Sequence, residues 1–293
     1  MLPNSFTPAF LRQLELLKIR SRRAFLGSRQ GGHLSLKRGH GLEFSDYRKY
    51  ELGDHPRYID WGLYARSQRL YVKRFQEEQD ISVLIILDAS ASMNIPEEGG
   101  KWQRAKEIAL ALAYVALSQQ DNVTLAALGK SAGPIYQGLK SIHHLSDLLG
   151  SMKAEGKIDL QRETILAAGR IRFPGIAVFI SDFLMPFEEL QRAFTFLRSK
   201  NLDISAIQVL HKSDEDPFHE SESYIAVDSE SGEEVSLAFE PDLQASYKKH
   251  FNNHLHRLSD YCKNNRIAYA KVNSENSVKD IFSENLSYLG LMS

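Results

Sequence analysis

From Ile81 onward the chain repeats one pattern. Short, uninterrupted runs of Val, Ile and Leu alternate with segments of helical periodicity. The runs are Ile81–Leu87, "NVTLAALG", a short "GPIYQGL", "GIAVFISDF" (Gly175–Phe183), "DISAIQVLH" (203–211) and "IAYAKV". Helical segments fall at 101–120, around 141–153 and 160–171, and at 186–200, 241–264 and 277–289. A strand that is apolar on both faces must be covered on both faces. Strand-helix alternation supplies that cover through a parallel sheet with helices on each side. The expected fold is therefore α/β, a doubly wound and mostly parallel sheet. Residues 217–240 read as an inserted β-hairpin, "YIAVD" and "EEVSLAF" around a turn at "SESG".

The first part of the chain has a different texture and is expected to form an N-terminal helix-and-strand extension. Residues 8–26 place Phe10, Leu14, Leu17 and Phe25 on one helical stripe, and a glycine-rich loop follows. The block "LEFSDYRKYELGDHPRYIDWGLYARSQRLYVKRFQEEQ" is dense in aromatics and charges. In it "LGDHP" reads as a turn and "LYVKRF" as an alternating strand. The expected partition is 1–77 as a packing segment and 78–293 as the α/β domain. Arg48, Arg57 and Arg66 are candidates to pair with Glu43, Asp54 and Asp60. Trp61, Tyr47, Tyr50, Tyr58 and Tyr64 serve either as internal scaffold or as anchors for a partner.

Charge and cysteine content narrow the class. Residues 1–75 hold 15 Lys and Arg against 6 Asp and Glu, and the rest holds 21 against 31. The basic front end suits the acidic half of its own chain as well as it suits nucleic acid, and no zinc finger or RNA-type aromatic motif accompanies it. Nucleic acid is not the expected partner. The single cysteine, Cys262, excludes an internal disulfide. No apolar run approaches the roughly 18–20 residues of a membrane span, and the N-terminus lacks the order of a signal peptide. A cytoplasmic location is expected.

The chemistry is expected where strands end. In open α/β sheets ligands bind beyond the carboxyl ends of the strands, at the point where strand order reverses. "SVLIILDASASM" ends its strand on Asp88, with Ser90 and Ser92 in the loop that follows, and "GIAVFISDF" ends on Asp182. With strand order 3-2-1-4-5-6 these two strands are neighbours. Two carboxylates and two hydroxyls make an all-oxygen set suited to Mg²⁺ or Mn²⁺, with places left to water or to a partner's carboxylate. The same acids allow a Mg²⁺-dependent hydrolase that uses Asp88 and Asp182. A Gly-x-Ser-x-Gly serine nucleophile is absent, and Ser90 stands where an aspartyl phosphatase would carry its second acid. His250 and His254 lie four residues apart on a helix, with Phe251 and not Glu following the first. A surface helix face is the simpler reading than a zinc pair.

"LIILDASASM" with "VFISDF" resembles the metal-ion-dependent adhesion site of von Willebrand factor A domains, whose core is Asp-x-Ser-x-Ser. The block "GLEFSDYRKYELGDHPRYIDWGLYARSQRLYVKRFQEEQD" resembles the bacterial domain-of-unknown-function family 58, as do "DPFHE" and "VDSESGEEV". The resemblance spans about residues 25 to 275. It implies a von Willebrand factor A or Rossmann-like fold and a protein that binds and does not catalyse. The implied metal ligands are Asp88, Ser90, Ser92 and Asp182, with a partner's acid completing the shell. It also implies a protein partner, a MoxR-type AAA+ ATPase or its client, in chaperone-like maturation or metal insertion. One position departs from the pattern. In "EGKIDL" Ile158 stands where the adhesion site has threonine, which leaves Asp159 as a substitute ligand or the site as a metal-free interaction module.

Overall fold

The computed structural model describes residues 2–17, 19, 42–77, 81–96, 100–130, 133–171, 175–217, 223–227, 233–238 and 241–286. By contacts the chain forms two compact units, Met1–Ala24 with Ile81–Ser293, and Phe25–Asp80.

Helix α1 (Pro8–Glu15) opens the larger unit. Thr7 caps it, with Oγ1 accepting from Phe10 N–H at 3.3 Å, and Pro8 occupies the first turn, where no N–H is needed. Phe10 and Leu14 are buried, as the stripe requires. The helix is shorter than the expected 8–26. It stops at Glu15, and Ile19 is buried outside it in a β-bridge. Leu17 and Ile19 are two residues apart, a spacing that an extended chain and not a helix puts on one side. Phe25 lies outside the described residues.

In the smaller unit β1 (Leu42–Lys49) pairs antiparallel with β2 (Tyr71–Glu77) and carries a bulge between Phe44 and Asp46. Between them lie a 3₁₀ turn, Pro56–Tyr58, and helix α2 (Trp61–Ser67), capped by Asp60 through Leu63 N–H at 2.9 Å. The "LGDHP" turn is present, with Gly53 at φ 110°. Arg48 and Asp54 form the expected ion pair through both guanidinium nitrogens. Hydrogen bonding from Arg48, then from Glu51 N–H, holds the Asp54 carboxyl below the usual carboxylate range. Arg57 lies instead over the Tyr58 ring, 4.7 Å from its centroid, and Arg66 donates to Gly62 O. The sequence reading took only the second strand of this hairpin. Charged residues at 43, 46, 48 and 49 mask the alternation of the first.

The larger unit then continues with β3 (Ser82–Leu87), α3 (Lys101–Ser118), β4 (Asn122–Ala127), β5 (Ile135–Tyr136), α4 (Ile142–Ser151), α5 (Leu160–Ala168), β6 (Gly175–Ser181), α6 (Phe187–Ser199) and β7 (Asp203–Leu210). It closes with α7 (Lys212–Glu215), the hairpin β8 (Ser223–Val227) and β9 (Glu234–Ala238), α8 (Pro241–Asn264), β10 (Ala268–Asn273) and α9 (Val278–Asp280). The expected last helix is replaced by this single turn and a π-helical stretch, Ile281–Leu286; 287–293 lie outside the described residues.

The fold is the expected doubly wound α/β sheet with an inserted hairpin. Strand order is β10-β7-β6-β3-β4-β5, parallel except for β5. Counted along the chain, the six strands stand as 3-2-1-4-5-6. Alternate residues of each inner strand feed two apolar layers. Val83, Ile85 and Leu87 of β3 join Ile176, Val178 and Ile180 of β6 against α1, α3 and α4. Leu84, Ile86, Ala177 and Phe179 join the residues of α5, α6 and α8 on the opposite face. Helix α3 has thirteen buried residues; from Ile108 to Leu117 it is buried on every side, which explains the lack of a polar face there, and its polar residues Gln103, Arg104, Lys106 and Glu107 fall in the first turns. Cys262 lies in the second layer, and burial pushes its thiol up to about 12, so it stays protonated and inert at neutral pH.

Candidate functional site

Strands β3 and β6 are direct neighbours at the reversal of strand order, so their carboxyl ends bring Asp88 and Asp182 into one crevice. Asp88 N–H still bonds to Ile180 O at 2.9 Å, which fixes the start of the loop. Both carboxylates are buried, at 0% and 1% exposure. Asp88 Oδ1 accepts from Ser90 N–H at 2.9 Å, and Oδ2 accepts from Ser181 Oγ at 2.6 Å. The hydroxyls of Ser90 and Ser92 lie 3.1 Å apart. The loop carrying them is pinned to the segment before α5, Ala91 N–H to Gly156 O at 3.0 Å and Glu155 N–H to Ala89 O at 2.9 Å. Gly156 has φ 75°, which glycine adopts at no steric cost.

The short helix after β7 and a lysine complete the crevice. Lys101, the first residue of α3, is 1% exposed. Its Nζ lies 2.8 Å from Asp182 Oδ2 and 3.0 Å from Asp214 Oδ1. Gly100 caps this helix, and a Cβ there would stand 2.0 Å from Pro96 O, so the turn that delivers Lys101 requires glycine. Asp182 Oδ1 accepts from Leu184 N–H at 3.2 Å, and Asp182 O accepts from Gln208 Nε2 at 2.7 Å. Phe183 holds φ 52°, and its carbonyl lies 2.6 Å from His254 Nε2. Asp214 Oδ2 accepts from His211 N–H at 2.8 Å, and its carbonyl accepts from Tyr247 Oη at 2.7 Å.

Burial alone would lower the proton affinity of Lys101. The charges of Asp182 and Asp214 outweigh it, and the ammonium is held above its ordinary range. Asp88 is pushed up by burial and by the charge of Asp182, against the bonds from Ser181 and Ser90. Two carboxylates thus share one ammonium, and among the described residues no cationic side chain lies against Asp88, the third acid of the crevice. A buried acid with two hydroxyls beside it and an unbalanced charge fits a hard divalent cation, which Asp88, Ser90, Ser92 and Asp182 would hold.

The four expected ligands therefore converge on one crevice. Of the two secondary positions, Ile158 has no oxygen and Asp159 is turned to its own helix. Ile158 packs with the second apolar layer, and Asp159 caps α5 through Arg162 N–H at 3.0 Å. Thr164 is in the second turn of α5, fully buried, and its hydroxyl has no hydrogen-bond partner among the described residues. His250 is exposed while His254 is turned to Phe183, the helix-face reading and not a metal pair. No group of three or more His, Cys, Asp or Glu side chains gathers at one point among the described residues. The sequence reading missed Ser181, Lys101 and Asp214. Asp214 is harder to find, because it lies four residues past the end of β7, inside the short helix α7. A lysine opening a helix that turns wholly apolar in its middle is the signal for Lys101.

Fold and crevice together define an α/β protein with an acidic, hydroxyl-bearing site at the switch point of its sheet. The chain belongs to the family described as "Protein of unknown function DUF58", whose profile matches residues 46–257. It is 24% identical over 251 residues to uncharacterized proteins of Mycobacterium bovis and Mycobacterium tuberculosis, covering 83% of this chain and 78% of each relative. Among solved structures it is similar to a conserved hypothetical protein BatB from Bacteroides thetaiotaomicron, with a TM-score of 0.43, 17% identity, 71% of this chain and 98% of that one. A second is an aerotolerance-related membrane protein from Bacteroides fragilis, with a TM-score of 0.40, 16% identity, 71% of this chain and 99% of that one. No helix among the described residues is long and apolar enough to cross a membrane.

Proposed function

We propose that the protein is a cytoplasmic interaction module of the von Willebrand factor A type, which docks an acidic side chain of a protein partner at a Mg²⁺ or Mn²⁺ adhesion-type site. The observation that carries this reading is the pairing of two buried carboxylates, Asp88 and Asp182, with the adjoining hydroxyls of Ser90 and Ser92 at one strand-end crevice. A bound divalent cation would supply the positive centre for the partner's carboxylate. The protein's own part is to fix the acids and hydroxyls through Ser181, Gly156 and Gln208. The proposed partner is a MoxR-type AAA+ ATPase or its client, and the role is chaperone-like maturation or metal insertion, not catalysis.

A second reading, a metal-free interaction module, is favoured by two observations. Ile158 brings no oxygen where a ligand would stand, and Lys101 already contacts Asp182. One binding experiment separates the two: the immobilised protein against a MoxR-type ATPase from the same organism, in Mg²⁺ and in chelator. The adhesion-site reading expects binding in Mg²⁺ that falls at least about tenfold, about 1.4 kcal/mol, in chelator and in Asp88→Ala. Equal binding in all three supports the metal-free module, and no binding in any removes the ATPase as partner.

A further inference from the structure

We infer that Lys101 sets the cation affinity of this crevice by competing, as a tethered positive charge, for Asp182. The inference rests on the adhesion-site reading and adds to it a residue that the Asp-x-Ser-x-Ser pattern does not contain.

The geometry gives the reason. Both oxygens of Asp182 are engaged, Oδ2 by Lys101 Nζ at 2.8 Å and Oδ1 by Leu184 N–H at 3.2 Å. The lysine side chain is 2% exposed, so it cannot swing into solvent without opening the start of α3. A divalent cation that takes Asp182 must take it from this ammonium. Asp214, 3.0 Å from the same nitrogen and anchored by His211 N–H, is where the displaced charge stays neutralised. The exchange is local, because one carboxylate is traded and the other retained. With Lys101 in place and Asp88 ionised on binding, the three acids leave a net charge of about −2, which a divalent cation cancels, and the carboxylate of a docking partner adds a ligand, not a charge balance, that no residue at position 158 provides. Lys101 thus makes the site weak alone and stronger with its partner.

The test is Mn²⁺ titration by calorimetry, with thermal unfolding in parallel, on wild type, Lys101→Gln and Asp214→Asn. Glutamine keeps a donor at position 101 without the charge, so Lys101→Gln is expected to bind Mn²⁺ at least about tenfold more tightly than wild type. Its unfolding temperature is expected to rise with added Mn²⁺ by more than that of wild type. Asp214→Asn removes the retained partner of the displaced ammonium and is expected to bind several-fold more weakly. A Lys101→Gln protein that folds only with Mn²⁺ also supports the inference. Equal or weaker binding by Lys101→Gln overturns it, as does unchanged binding by Asp214→Asn should the first variant fail to fold at all. If wild type binds and these shifts are absent, only the role of Lys101 falls. If wild type and both variants are silent, the adhesion-site reading falls with it.

Discussion

Asp182→Ala is expected to lower the stability of the metal-free protein by about 3 kcal/mol. Breaking a buried ion pair by removing one partner costs about 3–5 kcal/mol, because the other charge is left in the interior without compensation. Lys101 is 1% exposed and would keep Asp214, which places the loss at the lower end of that range. The alanine also removes the acceptor of Leu184 N–H at the residue before Phe183, whose φ is 52°. Asp182→Asn keeps one of the two acceptors and most of the side-chain volume, and is expected to cost less than the alanine. Guanidinium unfolding followed by tryptophan fluorescence measures both, with Trp102 buried beside the crevice helix. A loss below about 1 kcal/mol for Asp182→Ala would mean that the ion pair does not hold the crevice together.

The second large effect belongs to the packing under the site. Phe179, Phe183 and Phe194 are fully buried and mutually in contact, with ring centroids 5.2, 5.9 and 6.0 Å apart, and Phe194 also stacks on Tyr261 of α8 at 6.2 Å. Phe194→Ala is expected to cost about 3–5 kcal/mol, from lost apolar transfer and from the cavity that close-packed β6, α6 and α8 cannot collapse. The variant should also loosen the site, since Phe183 follows Asp182 directly and rests on this ring. Denaturant unfolding gives the first effect and Mn²⁺ titration the second. Unchanged metal affinity in a destabilised Phe194→Ala protein would show that the crevice is held by its polar bonds alone.

Much of this was legible because period and position carry physical meaning. The apolar runs of β3, β6 and β7 point to a sheet covered on both faces, and the acids after Leu87 and Ser181 point to the crevice. Strand order did the rest by making those two ends adjacent. What was hidden falls into two kinds. In β1 the charged residues at 43, 46, 48 and 49 break the alternation that announces a strand. Lys101 and Asp214 were hidden for another reason. They come from positions 81 and 32 residues away from Asp182, and only packing of α3 and the turn after β7 brings them to it. Period says which face a residue occupies, not which distant charge it meets. Ile158 is the opposite case: its identity was plain in the sequence, and its apolar setting in the second layer fits what the side chain can do.

Asp88, Ser90, Ser92 and Asp182 are proposed to form a divalent-cation site. Calorimetric titration of Mg²⁺ and Mn²⁺ into wild type, Asp88→Ala and Ile158→Thr tests it most directly. One saturable site is expected in wild type, with its loss in Asp88→Ala and tighter binding in Ile158→Thr. A wild type that binds neither ion, or an Asp88→Ala protein that binds as wild type does, would contradict it.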